Sequence, residues 1–313
     1  MEKNSKIFVA GHRGLAGSAL VRLLQSRGLT NLLLRSSSEL DLTDQAAVRS
    51  FFRSEKPSHV FMAAGKGGGI SANTAYPAEF IYTNSQIQNN IVHSAWESGV
   101  KKLLFIACSC IYPRDCPQPM GEESLLSSPV EPTSEPFAVA KIAGLKMCQA
   151  HNRQYGTNFI SVVPATLYGP NDNFDPETSH FLAAMIVKFH RAKAENAPRV
   201  LLWGTGTPER ELLYVDDFAD AAMFLMREYS GTEHLNISSG QGVTIREAAG
   251  MVKEAVGFDG EVVFDETKPD GAPRKVLDAS RIRALGWAPR TPLREGLRKA
   301  YDWYVKSSLS AMA

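Results

Sequence analysis

Cysteine, net charge and long apolar runs are all scarce in this chain of 313 residues. The four cysteines are too few and too clustered for a disulfide framework, so we expect them to be reduced. A formal net charge of +1 argues against a nucleic-acid or membrane partner bound by bulk electrostatics. The first apolar run, residues 7–10, is too short for a signal sequence or a membrane span, so we expect a cytoplasmic chain.

The cysteines and histidines also lack the spacing of metal ligands. Cys108 and Cys110 form Cys-x-Cys rather than Cys-x-x-Cys, and no second Cys/His pair stands at zinc-ligand spacing, so we expect no metal site. The composition is 44% hydrophobic and 21% charged, which is typical of a folded globular chain. Any phosphate-bearing ligand must therefore be bound by a few placed groups.

Short apolar runs alternate with longer amphipathic stretches along the first half of the chain. The runs predict buried strands, and the stretches between them have apolar residues at helical spacing. This repeated βα pattern predicts an α/β fold, a doubly wound parallel sheet. We expect residues 1–170, completed by about 211–240, to form the larger domain, and residues 171–210 and 241–313 a smaller substrate-binding lobe. The predicted strands are residues 7–10, 32–34, 60–63, 103–106, 159–163 and 234–237.

A glycine-rich loop directly follows the first predicted strand and precedes a predicted helix. Glycines at this spacing allow a tight turn, close approach of backbone N–H groups to a pyrophosphate, and close helix packing. The context favours a dinucleotide site of the Rossmann type over a ligand-free turn. The loop contributes Gly11, Arg13, Gly14, Leu15 and Gly17 to the predicted site.

The end of the second predicted strand indicates which dinucleotide is bound. A fold that binds NAD places an acidic residue there for the ribose diol, but this chain has Arg35 followed by three serines. With Arg13 as a second cation, these residues favour NADP(H), and the alternative is that Arg35 is a solvated loop residue. Asp41 and Leu42 lie where an adenine edge is read. After the third strand, the small residues Ala63 and Ala64 allow close approach of the cofactor.

Five motifs together carry a resemblance to a known family, the GDP-L-fucose synthases, over residues 6–304. They are the glycine loop, Ser-Cys-Ile-Tyr-Pro (109–113), Ala-Lys-Ile-Ala-Gly (140–144), Leu-Tyr-Gly-Pro-Asn-Asp-Asn-Phe (167–174) and Lys-Pro-Asp-Gly-Ala-Pro-Arg-Lys (268–275). The resemblance implies an extended short-chain dehydrogenase/reductase. It also implies epimerisation of GDP-4-keto-6-deoxy-D-mannose at C3 and C5, then reduction of C4 with NADPH.

The residues for epimerisation are present. Cys110 matches the family's catalytic cysteine and His180 its catalytic histidine, which is also a cofactor contact. A thiol and an imidazole are suitable proton carriers near neutral pH. Outside these motifs, each residue would more often be structural.

The residues for reduction are altered. Lys141 matches the family's catalytic and cofactor-binding lysine, but Phe137 stands four residues before it, where the family has tyrosine. Cys108 stands where the family has its catalytic serine, and a thiol is a weak hydrogen-bond donor. Ser109 is the nearest hydroxyl, but on a strand it would point away from Cys108. We therefore expect C4 reduction to be impaired.

Further departures lie nearby, with Gly65 to Gly68 in place of Ala-Lys-Val-Gly and residues 164–166 in place of Pro-Thr-Asn. The nucleotide-sugar contacts carry over better, although each could instead be an ordinary surface charge or core aromatic. The resemblance assigns them to Lys188, Trp203, Arg210 and Asp270.

Three functions remain open at this stage. The first is a GDP-L-fucose synthase, complete or with an altered active site, and the second is a GDP-4-keto-sugar epimerase with impaired or altered reduction. The third is a non-catalytic paralogue that binds NADP or a nucleotide sugar. The resemblance also implies a homodimer joined through two long helices, for which residues 82–98 and 137–153 are the candidates.

Overall fold

The computed structural model describes residues 1–175, 178–268 and 270–312. The strands, in chain order, are β1 Ile7–Ala10, β2 Leu32–Leu33, β3 His59–Met62, β4 Lys102–Ile106, β5 Phe159–Pro164, β6 Thr166–Tyr168, β7 Arg199–Trp203, β8 Glu209–Tyr214, β9 Leu235–Ile237, β10 Gly242–Thr244, β11 Glu261–Asp265 and β12 Arg274–Lys275. The helices are α1 Leu15–Ser26, α2 Gln45–Glu55, α3 Ile70–Ala75, α4 Pro77–Glu97, α5 Glu135–Tyr155, α6 Phe181–Ala194, α7 Val215–Glu228, α8 Ile245–Val256, α9 Ser280–Ala284 and α10 Leu293–Met312.

A six-stranded parallel sheet forms the larger part of the molecule, in the order β2-β1-β3-β4-β5-β9. Strands β1, β3, β4 and β5 are buried along their whole length, as expected for strands covered by helices on both faces. The strand order reverses between β1 and β3, and ligands of such sheets bind outside the carboxyl ends of the strands at that point. The predicted α/β fold class is confirmed.

The helices that cover this sheet fall into two groups. Helix α1 packs against α7, whereas α4 packs against both α2 and α5. Because right-handed crossovers that run in opposite directions along a sheet put their helices on opposite faces, α1 and α2 lie on different faces. Helices α4 and α5, the predicted dimer helices, are each 21 residues long.

A second hydrophobic core lies outside the main sheet. Strands β6, β8, β10 and β12 form one small sheet and β7 pairs with β11. Phe189, Val252 and Phe258 are buried in this second core, between α6, α8 and α10. Leu277, Ile282 and Trp287 instead belong to the first core. The division into domains by residue range stays a prediction.

Helix α8 shows how a local sequence sets an element of the smaller part. Thr244 accepts a hydrogen bond from the backbone N–H of Glu247 at 3.1 Å, and the Glu247 carboxylate accepts one from the N–H of Thr244 at 2.8 Å. This capping box fixes the first turn. Gly257, at φ +69°, ends the helix. Across the described residues, the helices include none with both the length and the apolar character that a bilayer crossing requires.

Candidate active site

The glycine loop lies in close contact with the segment that follows β3. Gly11 has φ +80°, and a Cβ there would lie 2.7 Å from the Cα of Ala64. A Cβ on Gly17 would lie 2.1 Å from the Gly11 carbonyl oxygen. These glycines therefore keep β1, the loop and α1 close together, and they open the N-terminus of α1 toward the switch point of the sheet.

The free polar groups of this loop fit a diphosphate. Helix α1 begins after Gly14, whose lack of a side chain leaves the first-turn N–H groups without a side-chain cap. His12 Nδ1 is buried without a hydrogen-bond partner among the described residues, and burial and Arg13 lower the pKa of this imidazole. Arg13 is exposed at the same place, so the loop offers donors and a cation to an anionic ligand.

The Arg35 side chain, just past the end of β2, already has partners within the protein. The Arg35 guanidinium donates to Glu55 at 3.1 Å and lies over the Phe51 ring at 5.7 Å. Glu39 accepts hydrogen bonds from Ser36, from its N–H at 2.8 Å and from its hydroxyl at 2.7 Å. These bonds, with smaller effects of the two nearby arginines, lower the pKa of Glu39.

Glu39 was missed by the sequence reasoning, although Ser-x-x-Glu is itself the pattern of a capping interaction. Its carboxylate lies beside the serine that we predicted to meet the cofactor phosphate. The Asp41 carboxylate closes a turn on the Thr43 N–H at 2.8 Å, and the Leu42 carbonyl accepts a hydrogen bond from Asn90. The adenine contacts of Asp41 and Leu42 stay predictions.

Lys141 lies under the carboxyl end of β4. Its ammonium group is buried, donates to the Ile106 carbonyl at 3.1 Å and lies 5.2 Å from the Phe105 ring centroid. Burial lowers the pKa of Lys141 to about 8. Phe137, one turn earlier on α5, has its ring 5.8 Å from the ammonium group and edge-on against Phe80. The position that the resemblance gives to a phenol is thus filled by an apolar ring.

Cys108 and Cys110 lie two and four residues beyond the end of β4, on a turn. Cys108 is extended and residues Ser109–Ile111 form one turn of 3-10 helix, so the backbone is not the strand that we assumed in placing Ser109. The structure joins the two sulfurs in a disulfide bond, with the Cα atoms 5.4 Å apart. The structure thus records this pair as bonded, in contrast to the expectation that all four cysteines are reduced. Cys116 and Cys148 are free.

A glycine segment after β3 connects Lys141 with the neighbourhood of His180. A Cβ on Gly65 would lie 3.4 Å from the Lys141 ammonium nitrogen and 2.7 Å from Oδ1 of Asn84, which accepts the Lys66 N–H. At the other end, the N–H of Gly69 donates to the Thr178 carbonyl at 3.1 Å. The segment from Gly65 to Gly69 thus runs from beside Lys141 to Thr178, two residues before His180.

His180 precedes the first turn of α6. It keeps an exposed face, while desolvation by the surrounding protein lowers the pKa of its imidazole. The ring is therefore neutral near pH 7, and it can both accept and donate a proton. Asp172, in the loop before it, was not predicted. Burial raises the pKa of that carboxyl to about 7.

Lys188 and Trp203 lie on the smaller part. Lys188, on α6, donates to the Leu201 carbonyl at 2.6 Å, and burial lowers the pKa of its ammonium group. Trp203 ends β7 with 69% of its surface exposed, and the Lys268 ammonium lies 5.6 Å from the ring centroid. An exposed indole of this kind offers a stacking face to a planar base.

Arg210 and Asp270 are neighbours in the same lobe. Arg210, on β8, donates to the Ala272 carbonyl at 2.7 Å. Asp270 accepts hydrogen bonds from the Thr205 N–H at 3.0 Å and the Thr205 hydroxyl at 2.7 Å. Lys275 pairs with Arg210 in the β12–β8 register, and burial and that arginine lower its pKa. We did not single out this second cation, although it ends the quoted Pro-Arg-Lys motif.

A cavity of about 780 Å³ lies elsewhere, between α1, α7 and the segment before α10. Arg27, Asp220 and Trp287 are among the residues that line it. The predicted site residues, all of which are described, do not line it. This cavity is therefore separate from the predicted site.

Comparisons with known proteins agree over nearly the whole chain. The profile of the NAD dependent epimerase/dehydratase family matches residues 7–238. The chain is 59% identical over 306 residues to GDP-L-fucose synthase 1 of Arabidopsis thaliana, covering 98% of this chain and 95% of that protein. It is similar to two solved structures that hold NADP. One is the GDP-mannoheptose C4 reductase MlghC of Campylobacter jejuni (41% identity, TM-score 0.89, 97% of this chain and 99% of that chain), and the other is a GDP-L-fucose synthetase of Naegleria fowleri (25% identity, TM-score 0.92, 99% and 97%).

Proposed function

This chain belongs to the NAD dependent epimerase/dehydratase family and, within it, to the GDP-L-fucose synthases, and on that basis we propose that it is an NADP(H)-dependent enzyme acting on a GDP-4-keto-6-deoxy-hexose. We propose that it epimerises C3 and C5 and reduces C4 slowly. The slow reduction of C4 is inferred from Phe137. Its ring lies 5.8 Å from the Lys141 ammonium, at the position where the reaction needs a phenol.

NADP(H) as the cofactor is supported by the glycine cradle, the donors at the start of α1 and the two NADP-bound relatives. When bound, NADPH supplies the hydride for C4. Gly11 and Gly17 would let the loop approach the diphosphate, and His12 and Arg13 would offer it a donor and a charge. Lys141, fixed by the Ile106 carbonyl, would orient the nicotinamide ribose.

Epimerisation needs one group to remove a proton from the carbon next to the ketone and another to return a proton on the opposite face. Cys110, as a free thiol, is the base in our proposal: its thiolate breaks the C–H bond and leaves an enolate. His180 then donates a proton to the same carbon. The acid is the imidazolium form of His180, which returns to the neutral ring when it gives up the proton. Because desolvation lowers the pKa of His180, this form is the minor one near pH 7.

Reduction at C4 needs a donor for the oxygen as the hydride arrives. Phe137 has no O–H, and Cys108 supplies at most a weak S–H donor. Losing one such donor typically lowers the rate about 10²–10³-fold. We therefore expect proton exchange at C3 and C5 to run far ahead of NADPH oxidation.

A complete GDP-L-fucose synthase is the second candidate. The 59% identity to the Arabidopsis protein over 98% of this chain favours it. In that case another donor must serve the C4 oxygen, and Lys141, with its ammonium 5.8 Å from the Phe137 ring centroid and a pKa of about 8, is a candidate. The two candidates differ in one measurable ratio, that of NADPH oxidation to deuterium exchange.

The test is a paired assay on GDP-4-keto-6-deoxy-D-mannose in D₂O with dithiothreitol. Deuterium at C3 and C5 is followed by mass spectrometry, and NADPH by its absorbance. We expect exchange without stoichiometric NADPH oxidation, and loss of exchange in Cys110→Ala. Rapid NADPH consumption by the unmodified chain would favour the second candidate, and full exchange in Cys110→Ala would remove Cys110 as the base.

A further inference from the structure

The two thiols of the Cys-x-Cys turn lie close enough to bond directly. Their Cα atoms are 5.4 Å apart, within the usual disulfide range of about 4.4–6.8 Å, and the structure connects their sulfurs. Both residues are half-buried, so a small oxidant or reductant has access to them. The two other cysteines are placed differently, since Cys148 is fully buried and Cys116 lies beyond Tyr112.

The backbone on both sides of the pair is fixed by hydrogen bonds. Before it, the N–H of Ala107 donates to Val162 on β5 at 2.8 Å, and after it the N–H of Ile111 donates back to the Cys108 carbonyl at 3.2 Å. The buried Tyr112 hydroxyl then donates to Asn236 at 2.6 Å. The convergence of the two side chains is therefore a property of the turn and does not depend on a mobile segment.

From this placement we propose that Cys108 and Cys110 form a reversible redox pair whose oxidation switches off the epimerisation step. The switch rests on the proposed function, because it acts through the assigned role of Cys110. A low-molecular-weight disulfide such as oxidised glutathione is the oxidant. One S–S bond forms between the two protein sulfurs and the S–S bond of glutathione breaks. The two electrons and two protons lost by the protein thiols leave on two molecules of reduced glutathione. In the oxidised state Cys110 has no thiolate with which to remove a proton from C3 or C5.

In this arrangement Cys108 is the second thiol of the redox pair. The resemblance gives its position to a serine, and a hydroxyl cannot form the bond. The cysteine that replaces a stronger hydrogen-bond donor for C4 reduction thus supplies the second sulfur of the bond. Cys108 thus contributes to both effects, whereas Phe137 contributes to the impaired reduction alone.

The first experiment measures the bond itself. The purified protein is treated with oxidised glutathione or with dithiothreitol, alkylated with iodoacetamide and digested with trypsin. Cleavage after Lys102 and Arg114 releases residues 103–114, which contain both cysteines of the pair and not Cys116. We expect this peptide to be two hydrogens lighter and unalkylated after oxidation, and doubly alkylated after reduction.

The second experiment measures deuterium exchange into GDP-4-keto-6-deoxy-D-mannose on the same samples. Each protein is compared with its own reduced form, so the basal rate of a variant does not matter. We expect oxidation to lower exchange at least about 10²-fold, the effect of losing a general base, and dithiothreitol to restore it. In Cys108→Ser the internal bond cannot form, so oxidation should leave Cys110 either alkylatable or carrying one glutathione, which adds its mass to the same peptide. The matched control Cys116→Ser should keep the internal bond and the loss of exchange.

The outcomes separate the switch from the function on which it rests. A peptide that stays doubly alkylated after oxidation would overturn the redox pair, whatever the exchange rate. A disulfide-containing peptide together with undiminished exchange would overturn the switch and the assignment of Cys110. If the fully reduced protein shows no exchange, the proposed function fails and the switch with it, while the peptide mass still reports whether the pair forms.

Discussion

Phe137 and Lys141 are separated by one turn of α5, and their contacts show what the missing phenol changes. The Phe137 ring packs edge-on against Phe80 with centroids 5.9 Å apart, and the Lys141 ammonium lies near both Phe105 and Phe137. Replacing a phenol by phenyl keeps this packing and removes only a polar group.

Restoring both donors therefore tests the residue-scale explanation. In the double variant Phe137→Tyr, Cys108→Ser, we expect NADPH oxidation with GDP-4-keto-6-deoxy-D-mannose to rise by at least about 10²-fold, because each donor typically contributes about 10²–10³ in rate. The measurement is the steady-state rate under reducing conditions. The two single variants serve as controls, each with a smaller gain. No gain in the double variant would mean that the pocket is built for another substrate.

At the scale of elements, the site is made where several parallel strands end. Strands β1, β3 and β4 have their carboxyl ends at one edge, and each is followed by a predicted functional segment: the glycine loop, Ala63–Ala64 and the cysteine turn. Parallel pairing forces these ends together. The start of α1 lies at the same edge, directly after the glycine loop.

The packing of α1 on its loop predicts a graded effect of added methyl groups. Gly17→Ala would place a Cβ 2.1 Å from the Gly11 oxygen, whereas the Cβ of Gly14→Ala would lie at an ordinary 3.6 Å. We expect the first variant to lose most NADPH binding and the second to lose much less. Fluorescence titration with NADPH measures both, and circular dichroism checks the fold. Equal losses would contradict the steric explanation.

At the scale of the whole molecule, a buried polar network lies beneath the cysteine turn. His234 Nε2 lies 3.1 Å from the Tyr112 hydroxyl oxygen, and since that hydroxyl donates to Asn236, the imidazole is the donor. Its Nδ1 is buried without a hydrogen-bond partner in the described part of the chain. Burial, Lys146 and Arg281 lower the pKa of His234 to about 4, and burial lowers that of His59 to about 4 as well.

The two lowered histidine pKa values make the stability of the protein depend on pH. Between about pH 4 and the ordinary value of 6.5, the unfolded chain binds these protons and the folded chain does not. The free energy of unfolding should thus increase with pH across this window, by up to about 1.4 kcal/mol per pH unit for each histidine. In His234→Gln the side chain still has a hydrogen-bond donor but no longer titrates. The slope of the unfolding free energy against pH should therefore decrease by the contribution of one proton. Urea denaturation at several pH values measures it, and an unchanged slope would contradict the prediction.

An apolar surface on α4 and α5 leads to a prediction about assembly. Ile81, Tyr82, Val139 and Tyr155 are each at least 37% exposed on these two helices, which pack against each other. Large exposed apolar side chains on adjacent helices are typical of a contact between subunits. The homodimer implied by the family resemblance would use this surface.

We expect sedimentation equilibrium to give twice the 34.3 kDa chain mass. The double variant Tyr82→Glu, Val139→Glu should shift the protein toward a monomer, because it places charge in an apolar contact. Paired glutamates on the exposed face of α8 are the control and should leave the mass unchanged. A monomeric unmodified chain would refute the prediction.

The sequence by itself determined the local parts of this protein. Apolar runs predicted the strands of the main sheet, since a strand covered on both faces must be apolar throughout, and β1 has the predicted bounds. The glycine loop was readable for the same reason: the close contacts of Gly11 and Gly17 leave no room for a side chain. The motifs alone also showed that Phe137 stands four residues before Lys141.

Only the tertiary structure decided which of these groups meet and in what state. Arg35 is held by Glu55, twenty residues away, and Lys141 by a carbonyl of β4. Burial, which no single motif encodes, sets the pKa of Lys141 and raises that of Asp172. The cysteine bond needed the turn after β4, because sequence spacing gives only the number of residues between two thiols, whereas bond formation depends on their separation in space.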